Sequence, residues 1–435
     1  MPEPSRTASS VVRVGVLGCG NVGAALVDLV LTGGDELARC AGVRLEIAHV
    51  AVRNLAKPRV GAVPAERLTH DAHAVATADD VDVLVELIGG IEPARTLVLD
   101  ALKSGKPVVT ANKELLANCG AELYAEAESA GRELLFEAAV AGGIPLVRAL
   151  RTSLAGEQLR RVTGIVNGTT NFVLTRMSEE GASYGEALQE AQRLGYAERD
   201  PSADVEGHDA SAKAAILAGI AFNADVVAGD VYREGIESIE VGDIEFAHRL
   251  GYEVKLLAVA ERVGDGAVCV RVHPAMVPAD HPLAGVRGVF NAVFVEGEAV
   301  GELMFYGRGA GGRPTASAVL GDLLDAARSL SAGAVWFPPR RRVEIRPIDD
   351  LETQYYLALD VLDRPGVLAA VAAVFGGHGV SIRSMEQVGL GEEARIVFIT
   401  HRAREADVQA SVAGLRGVDA VKRIGQVLRV IGAES

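Results

Sequence analysis

A chain of 435 residues is too long for one ordinary core, so two or three domains are expected. Lys+Arg 43 against Asp+Glu 58, a net charge of −15, disfavours nucleic acid and an anionic membrane as partners and leaves a small-molecule enzyme as the default. The cysteines Cys19, Cys40, Cys119 and Cys269 show no CxxC spacing that would suggest zinc or a disulfide framework, and neither an apolar leader nor a bilayer-length apolar run appears, so a soluble, cytoplasmic protein is expected.

Residues 11–17 (VVRVGVL) read as a strand. Gly18-Cys19-Gly20-Asn21-Val22-Gly23 and a helical pattern follow, a GxGxxG turn whose glycines let backbone approach a diphosphate at a helix N-terminus. A second strand, residues 43–52, ends without the acid that would hold a ribose 2′-hydroxyl. Arg53 and Lys57 stand there instead, which favours NADP over NAD unless both are solvated surface. Residues 81–90 and 108–110 read as further strands, with Asn112 and Lys113 just past the end of the latter, where open α/β sheets bind ligands. Residues 133–146 (ELLFEAAVAGGIPL) read as a closing strand in which Glu137 is an acid inside an otherwise apolar run.

Beyond residue 145 comes a helix, then the strand LRRVTGIVNG and the polar turn Asn167-Gly168-Thr169-Thr170-Asn171. A helix from about Val205 places Val205, Asp209, Lys213, Ile216 and Ile220 on one face, so Asp209 and Lys213 can pair inside an apolar stripe. Glu198, Asp200 and Asp204 crowd the turn just before it. For an acid and an amine in such a stripe the plainer reading is a buried ion pair, because an ionised group there is costly unless it is paired or used. Strands over residues 254–263 and 268–277 suggest an antiparallel sheet with helices on one face. The glycine-rich turn GRGAGG, including Gly311, and the helix 314–330 are then a return to the cofactor.

Residues 337–353 (FPPRRRVEIRPIDDLET) combine prolines and clustered charge without periodicity and read as a linker and separate tether. Beyond them the pattern is βαββαβ, the ferredoxin-like order.

GCGNVG, TANKELLA, FEAAVAGGIPL, GIVNGTTNF, GYAERDPSADVEGHDASAK and GRGAGGRPTASAVLGD, in this order, resemble homoserine dehydrogenase over residues 12–330. The resemblance implies NAD(P)-dependent interconversion of aspartate 4-semialdehyde and homoserine. It makes Lys213 the proton donor and puts Lys113 beside nicotinamide and substrate. Asp209, Glu198, Asp204, Gly168, Thr169 and Tyr196 fall on the substrate side. It also implies a sodium or other monovalent-cation loop around Glu137, Val140, Gly142 and Ile144. The turn Asp363-Arg364-Pro365-Gly366-Val367-Leu368 resembles that of ACT domains, which dimerise and bind amino acids, with threonine the favoured effector. Gly379-Val380-Ser381-Ile382 departs from that pattern by lacking an asparagine often found before this strand.

The expected organisation is a Rossmann-type parallel-sheet domain over residues 1–144, an α+β catalytic and dimerisation domain over 145–333, a linker over 334–353 and a ferredoxin-like ACT domain over 354–435. The whole is a homodimer or homotetramer. The rivals are another amino-acid dehydrogenase on this scaffold and a non-catalytic amino-acid sensor.

Overall fold

The computed structural model describes residues 10–56, 63–264, 266–332, 343–389 and 391–431. Strands β1 (Ser10–Leu17), β2 (Val43–Ala51), β3 (Leu68–Thr69), β4 (Val83–Glu86), β5 (Val108–Thr110) and β6 (Leu134–Leu135) alternate with helices α1 (Asn21–Ala41), α2 (Ala72–Thr77), α3 (Ala94–Lys103) and α4 (Lys113–Ala130). They form a wholly parallel sheet in the order β3-β2-β1-β4-β5-β6. Helices cover both faces, so the strand interiors are mostly apolar: Val14, Val16, Leu84 and Val108 are all inaccessible, with Glu86 and Thr110 the buried polar residues at the ends of β4 and β5. The strand order reverses between β1 and β4, and a crevice opens there beyond the carboxyl ends.

Two strands are shorter than their sequence suggests. Residues 81–90 pair only over β4, because the Glu86 carboxylate accepts the N–H groups of Ile88 and Gly89 and folds the chain over. Residues 133–146 pair only over β6. A 3₁₀ turn at Glu137–Ala139 follows, and Ala141 and Gly142, at φ 57° and 52°, then bend the chain off the sheet.

The middle of the chain supplies strands β7 (Leu159–Ile165), β8 (Tyr232–Arg233), β9 (Tyr252–Val263), β10 (Ala267–Pro278), β11 (Phe290–Gly297) and β12 (Gly301–Arg308). Its helices are α5 (Gly168–Glu180), α6 (Tyr184–Arg193), α7 (Ser202–Val205), α8 (His208–Phe222) and α9 (Val241–Arg249). From β12 through β11, β7 and β9 to β10 the sheet is antiparallel, with α5, α8 and α9 packed on it. The single helix expected from Val205 is two: Gly207, at φ 82°, takes the left-handed conformation and separates α7 from α8. Helix α10 (Gly312–Ala332) then returns to the parallel-sheet domain, where Ala316, Val319 and Leu323 join the core of Val14, Leu26 and Val27.

The last part comprises β13 (Glu352–Leu362), α11 (Val367–Gly377), β14 (Ile382–Gly389), β15 (Glu393–Thr400), β16 (Ala403–Arg404), α12 (Glu405–Leu415) and β17 (Val421–Val430). Its main strands lie in the order β17-β13-β15-β14, as βαββαβ requires. It is not separately tethered. β17 pairs in parallel with β10 through Ala275↔Arg429 and Met276↔Val430, so the middle and last parts share one 11-stranded sheet. Residues 334–342 of the expected linker lie outside the described residues. Just after them, Glu344 and Arg346 bond backbone to backbone with Val268. Proline and charge content says nothing about a free strand edge, and β10 offers one.

Among the described residues no helix is long and apolar enough to cross a membrane.

Candidate active site

At the end of β1 the chain turns through Gly18, whose φ of 97° and position leave no room for a side chain: a Cβ would stand 2.6 Å from the carbonyl oxygen of Leu87. A Cβ on Gly23 would stand 2.3 Å from the Gly18 carbonyl. Gly20 is different. Nothing lies within 4 Å of its would-be Cβ, so its missing side chain leaves space open rather than avoiding a neighbour. Gly20 is also the N-cap of α1, with no side-chain cap, so the first N–H groups of α1, from Asn21, Val22 and Gly23, face an anion-sized opening.

This opening belongs to a cleft of about 1100 Å³ lined by Gly20, Asn21, Arg53, His70, Gly312 and Arg313, among others. Arg53 is exposed and has no ion-pair partner among the described residues, whereas Lys57 lies outside them. Helix α10 reaches the cleft through Gly312 and Arg313, next to Gly311. Arg313 pairs with Asp28 of α1 at 3.6 Å. Sequence reasoning does not single out Arg313, although it lies within the GRGAGGRPT motif.

Beside the cleft, α4 and α8 bring three charged groups together. Asn112 caps α4 by accepting the Leu115 N–H at 3.0 Å, which sets Lys113 in the first turn. The Lys113 ammonium pairs with Asp209 Oδ1. On the other side, Lys213 Nζ donates to Asp209 Oδ2 at 2.7 Å and to the Val166 carbonyl at 2.7 Å. Asp209 therefore bridges two lysines from different domains. Its side chain is 7% exposed, and burial alone would raise its pKa, but the two ammonium groups outweigh burial and hold it well below the ordinary range. Burial would likewise lower the pKa of Lys113, yet the charge of Asp209 raises it on balance.

Asn167 completes the cluster. Its Oδ1 caps α5 by accepting the Thr170 N–H at 2.9 Å, while Nδ2 donates to Asp204 Oδ1 at 2.7 Å and to Asp209 Oδ2 at 2.9 Å. The turn thus has an ordinary cap at one end and a carboxylate clamp at the other. A cap preference is readable from NGTTN, but the clamp is not, because its partners lie 37 and 42 residues away.

The other expected substrate-side residues are less central. Thr169 donates its hydroxyl to the Tyr196 carbonyl at 2.7 Å, and the exposed Tyr196 ring meets Phe172 edge-on at 5.1 Å. Gly168 packs so closely that a Cβ would lie 2.9 Å from the Val289 carbonyl. The side chain of Glu198 is exposed, with no hydrogen bond or ion pair among the described residues.

Along the bend after β6, the Glu137 carboxylate is occupied by the N–H groups of Val147 and Arg148, each at 2.8 Å. The Glu137 N–H donates to Asp322 Oδ2 at 2.7 Å, and burial pushes the Asp322 carboxyl up to about 7. The Ile144 carbonyl accepts from Leu146. Val140 and Gly142 are buried, and among the described residues no donor meets their carbonyl oxygens, an arrangement that suits a cation held by backbone oxygens. Among the described residues no group of three or more His, Cys, Asp or Glu side chains is placed to bind a metal.

Three family models match the chain: "Homoserine dehydrogenase, NAD binding domain" over residues 18–137, "Homoserine dehydrogenase" over 145–324 and "ACT domain" over 355–432. The homoserine dehydrogenase of Corynebacterium glutamicum is 50% identical, covering 98% of this chain and 97% of that one. The crystal structure of a homoserine dehydrogenase from Thiobacillus denitrificans superposes with a TM-score of 0.91 at 40% identity, covering 97% and 98%. A hyperthermophilic archaeal homoserine dehydrogenase in complex with NADPH gives 0.61 at 30% identity, covering 76% of this chain and all of that one.

Proposed function

The chain belongs to the homoserine dehydrogenase family, oxidoreductases that interconvert L-aspartate 4-semialdehyde and L-homoserine with a nicotinamide cofactor, and within that activity we propose the roles of its residues. Family membership sets aside the sensor and the other-dehydrogenase readings. The reaction lies on the route to threonine, isoleucine and methionine.

The carrying observation is the Lys113–Asp209–Lys213 bridge. An ammonium has three N–H groups. Lys213 commits two, to Asp209 and the Val166 carbonyl, and the third is available for a substrate oxygen. A nicotinamide bound in the cleft supplies the hydride. As the aldehyde carbon is reduced its oxygen gains charge, and Lys213 stabilises that charge and delivers the proton from Nζ. Lys113, more open at 43% side-chain exposure, faces the junction of cofactor and substrate. Asp209 orients both lysines and favours the charged form of Lys113. Asp204, with Glu198 at the rim, receives the substrate's amino group, and Gly168, Thr169 and Tyr196 shape the wall beside it. Aspartate 4-semialdehyde with NADPH tests the whole assignment by loss of NADPH absorbance: turnover that survives in Lys213→Ala overturns the role of Lys213.

NADP is the favoured cofactor, supported by Arg53 in the cleft and by the absence of an acid at the end of β2. For the monovalent cation we assign the carbonyls of Val140 and Gly142 in the loop that also contains Glu137 and Ile144. Dependence of the melting temperature on sodium, with choline chloride as control, tests that site. The last domain is assigned an amino-acid effector, threonine first, at the turn containing Gly366 (φ 91°), where a hollow of about 370 Å³ is bounded by Asp363, Gly366 and Gln387. Inhibition by threonine that is lost in Gly366→Val supports it, and indifference of the parent enzyme refutes it. A cytoplasmic homodimer or homotetramer completes the reading, supported by β12, a free sheet edge with Met304 and Tyr306 exposed. Light scattering measures the assembly.

A further inference from the structure

We propose that Arg429, on the last strand of the C-terminal domain, is a positioning residue for the substrate pocket, acting through Glu234 on the turn that aims Asp204 and Asp209. The proposal rests on the assignment of those two carboxylates to the substrate side.

The contact begins where β17 joins β10. Arg429 is 1% exposed. Its Nε and Nη2 each donate to the Glu405 carboxylate at 2.7 Å, a two-pronged pair closed off by the Tyr355 hydroxyl, which donates to Glu405 Oε2 at 3.1 Å. Nη2 also reaches across the domain boundary to Glu234 Oε1 at 3.0 Å. Glu234 accepts the hydroxyl of Tyr232 as well, so Tyr232 and Glu234 hold the catalytic side of the contact.

These two residues flank Arg233 in a short segment that runs along β10. Tyr232 and Arg233 pair with Arg271 and Val272, and the Glu234 N–H donates to the Val272 carbonyl at 2.8 Å. Alternation then sends Arg233 the other way, toward Gly207: a Cβ on Gly207 would meet Arg233 Cγ at 3.2 Å and the Glu234 carbonyl at 3.4 Å. The next two residues clamp the end of α7. The Ile236 N–H donates to the Val205 carbonyl at 2.9 Å, and a Cβ on Gly235 would stand 2.3 Å from that same oxygen. Residues 233–236 are therefore pressed against the left-handed turn at Glu206 and Gly207, which lies between Asp204 and Asp209.

A buried ion network has few alternative arrangements, because each donor it loses leaves a charge uncompensated. Arg429 thus fixes where residues 232–236 lie, and those residues fix the turn. The C-terminal domain, on this reading, is part of the support of the substrate pocket and not an appendage to a finished enzyme.

The test is kinetic. Glu405→Gln/Arg429→Met removes both inner charges together and keeps the volume, so that no buried charge is orphaned beyond Glu234, which Tyr232 retains. In the folded double variant the KM for aspartate semialdehyde is expected to rise about tenfold, a misplacement effect, while the KM for NADPH stays within about twofold. Arg429→Lys keeps the charge without the fork and should fall between parent and double variant. Gly235→Ala perturbs the other end of the same route and should give the same split. If the double variant does not fold, Gly235→Ala decides.

A folded variant of either kind with a parental semialdehyde KM overturns the proposal, as do equal rises in both KM values, which would mean general loosening. Asp204→Asn separates the two layers. If it leaves the semialdehyde KM unchanged, the pocket is misassigned and the proposal falls with it. If it raises that KM while the Arg429 and Gly235 variants do not, only the role of Arg429 is wrong.

Discussion

The cofactor cleft and the substrate cluster adjoin each other but are made differently. Backbone makes the cleft: Gly18, which is left-handed, and Gly23 leave no room for side chains and Gly20 leaves space open, with the bare start of α1 facing them. Side chains make the cluster. Lys113, Asn167, Asp204, Asp209 and Lys213 come from four helices or their caps, and each is fixed by another of the set or by the Val166 carbonyl. A backbone site tolerates changes of side chain around it, whereas a mutually paired site transmits each change to every member. Substitutions in the cluster should therefore cost far more than substitutions at the cleft, and in a different kinetic parameter.

The largest effect should come from Lys213→Ala, expected to lower kcat by about 10² or more with little change in cofactor binding, because proton donation and charge stabilisation act in the transition state. Asp209 keeps Lys113 as a partner, so the variant should still unfold cooperatively. Single-turnover kinetics with a melting scan check both statements, and a near-parental kcat in a folded variant removes Lys213 from the chemistry.

Next in size is Asn167→Asp. Aspartate caps a helix as well as asparagine does, so α5 should be kept. The amide donor is replaced by a third carboxylate against Asp204 and Asp209, which favours proton uptake by the trio. We expect kcat/KM to fall by about tenfold or more at pH 8 and to recover part of that loss toward pH 6, since a like charge raises a carboxyl pKa. A profile parallel to that of the parent would show that Nδ2 does nothing beyond capping.

How far each region is readable follows from the same difference. The GxGxxG turn, the missing acid before Arg53 and the parallel strands are local features, and the sequence contains them in order. Lys113, Asp209 and Lys213 are found partly from placement, since Asp209 and Lys213 are one helical turn apart and Lys113 lies at a strand end. The family resemblance assigns their roles. Asn167 does not stand out as a site residue because its turn looks like any cap. The return of α10 to the cofactor is legible in its glycine-rich turn, but the pairing of Arg313 with Asp28 and of Asp322 with the Glu137 N–H is not, because each joins residues far apart in the chain. The pairing of β17 with β10 escapes sequence reasoning for a related reason: an edge is a property of the assembled sheet. Truncation near Thr353 would expose the β10 edge and leave Glu234 without Arg429, so point variants, not truncation, are the right probes of the C-terminal domain.

On the cleft side, Arg53→Ala should raise the KM for NADPH about tenfold and that for NADH by less than about twofold, the loss of one charge-assisted contact to a 2′-phosphate. Initial rates with both cofactors decide it. Equal changes would mean that Arg53 does not face the ribose, and selectivity would then rest on Arg313 or on the unfilled place of the acid.

The smallest effect on turnover is expected from a variant that tests the cluster by its opposite, a buried lysine without a carboxylate. Lys255, on β9, is 3% exposed and donates to the Val286 carbonyl at 2.7 Å, and no ion pair reaches it among the described residues. Burial brings its pKa down to about 8, where Asp209 instead raises that of Lys113. For Lys255 the folded pKa lies below the unfolded value of about 10.4. Between roughly pH 8 and 10 the unfolded chain therefore binds more protons than the folded one, and stability attributable to this residue rises with pH and is lost as pH falls toward the folded value. Lys255→Met has no such proton to lose. Relative to the parent it should be most stable near pH 7 and lose that advantage toward pH 10. The divergence should be on the order of 2 kcal/mol, because each pH step between the folded and unfolded pKa is worth about 1.36 kcal/mol. Chemical denaturation at pH 7, 8.5 and 10 measures the difference directly, and the other groups that titrate in this range cancel in the comparison. Equal differences at all three values would show that Lys255 is solvated in solution. The contrast with Lys113 would then owe less to Asp209 than this structure indicates.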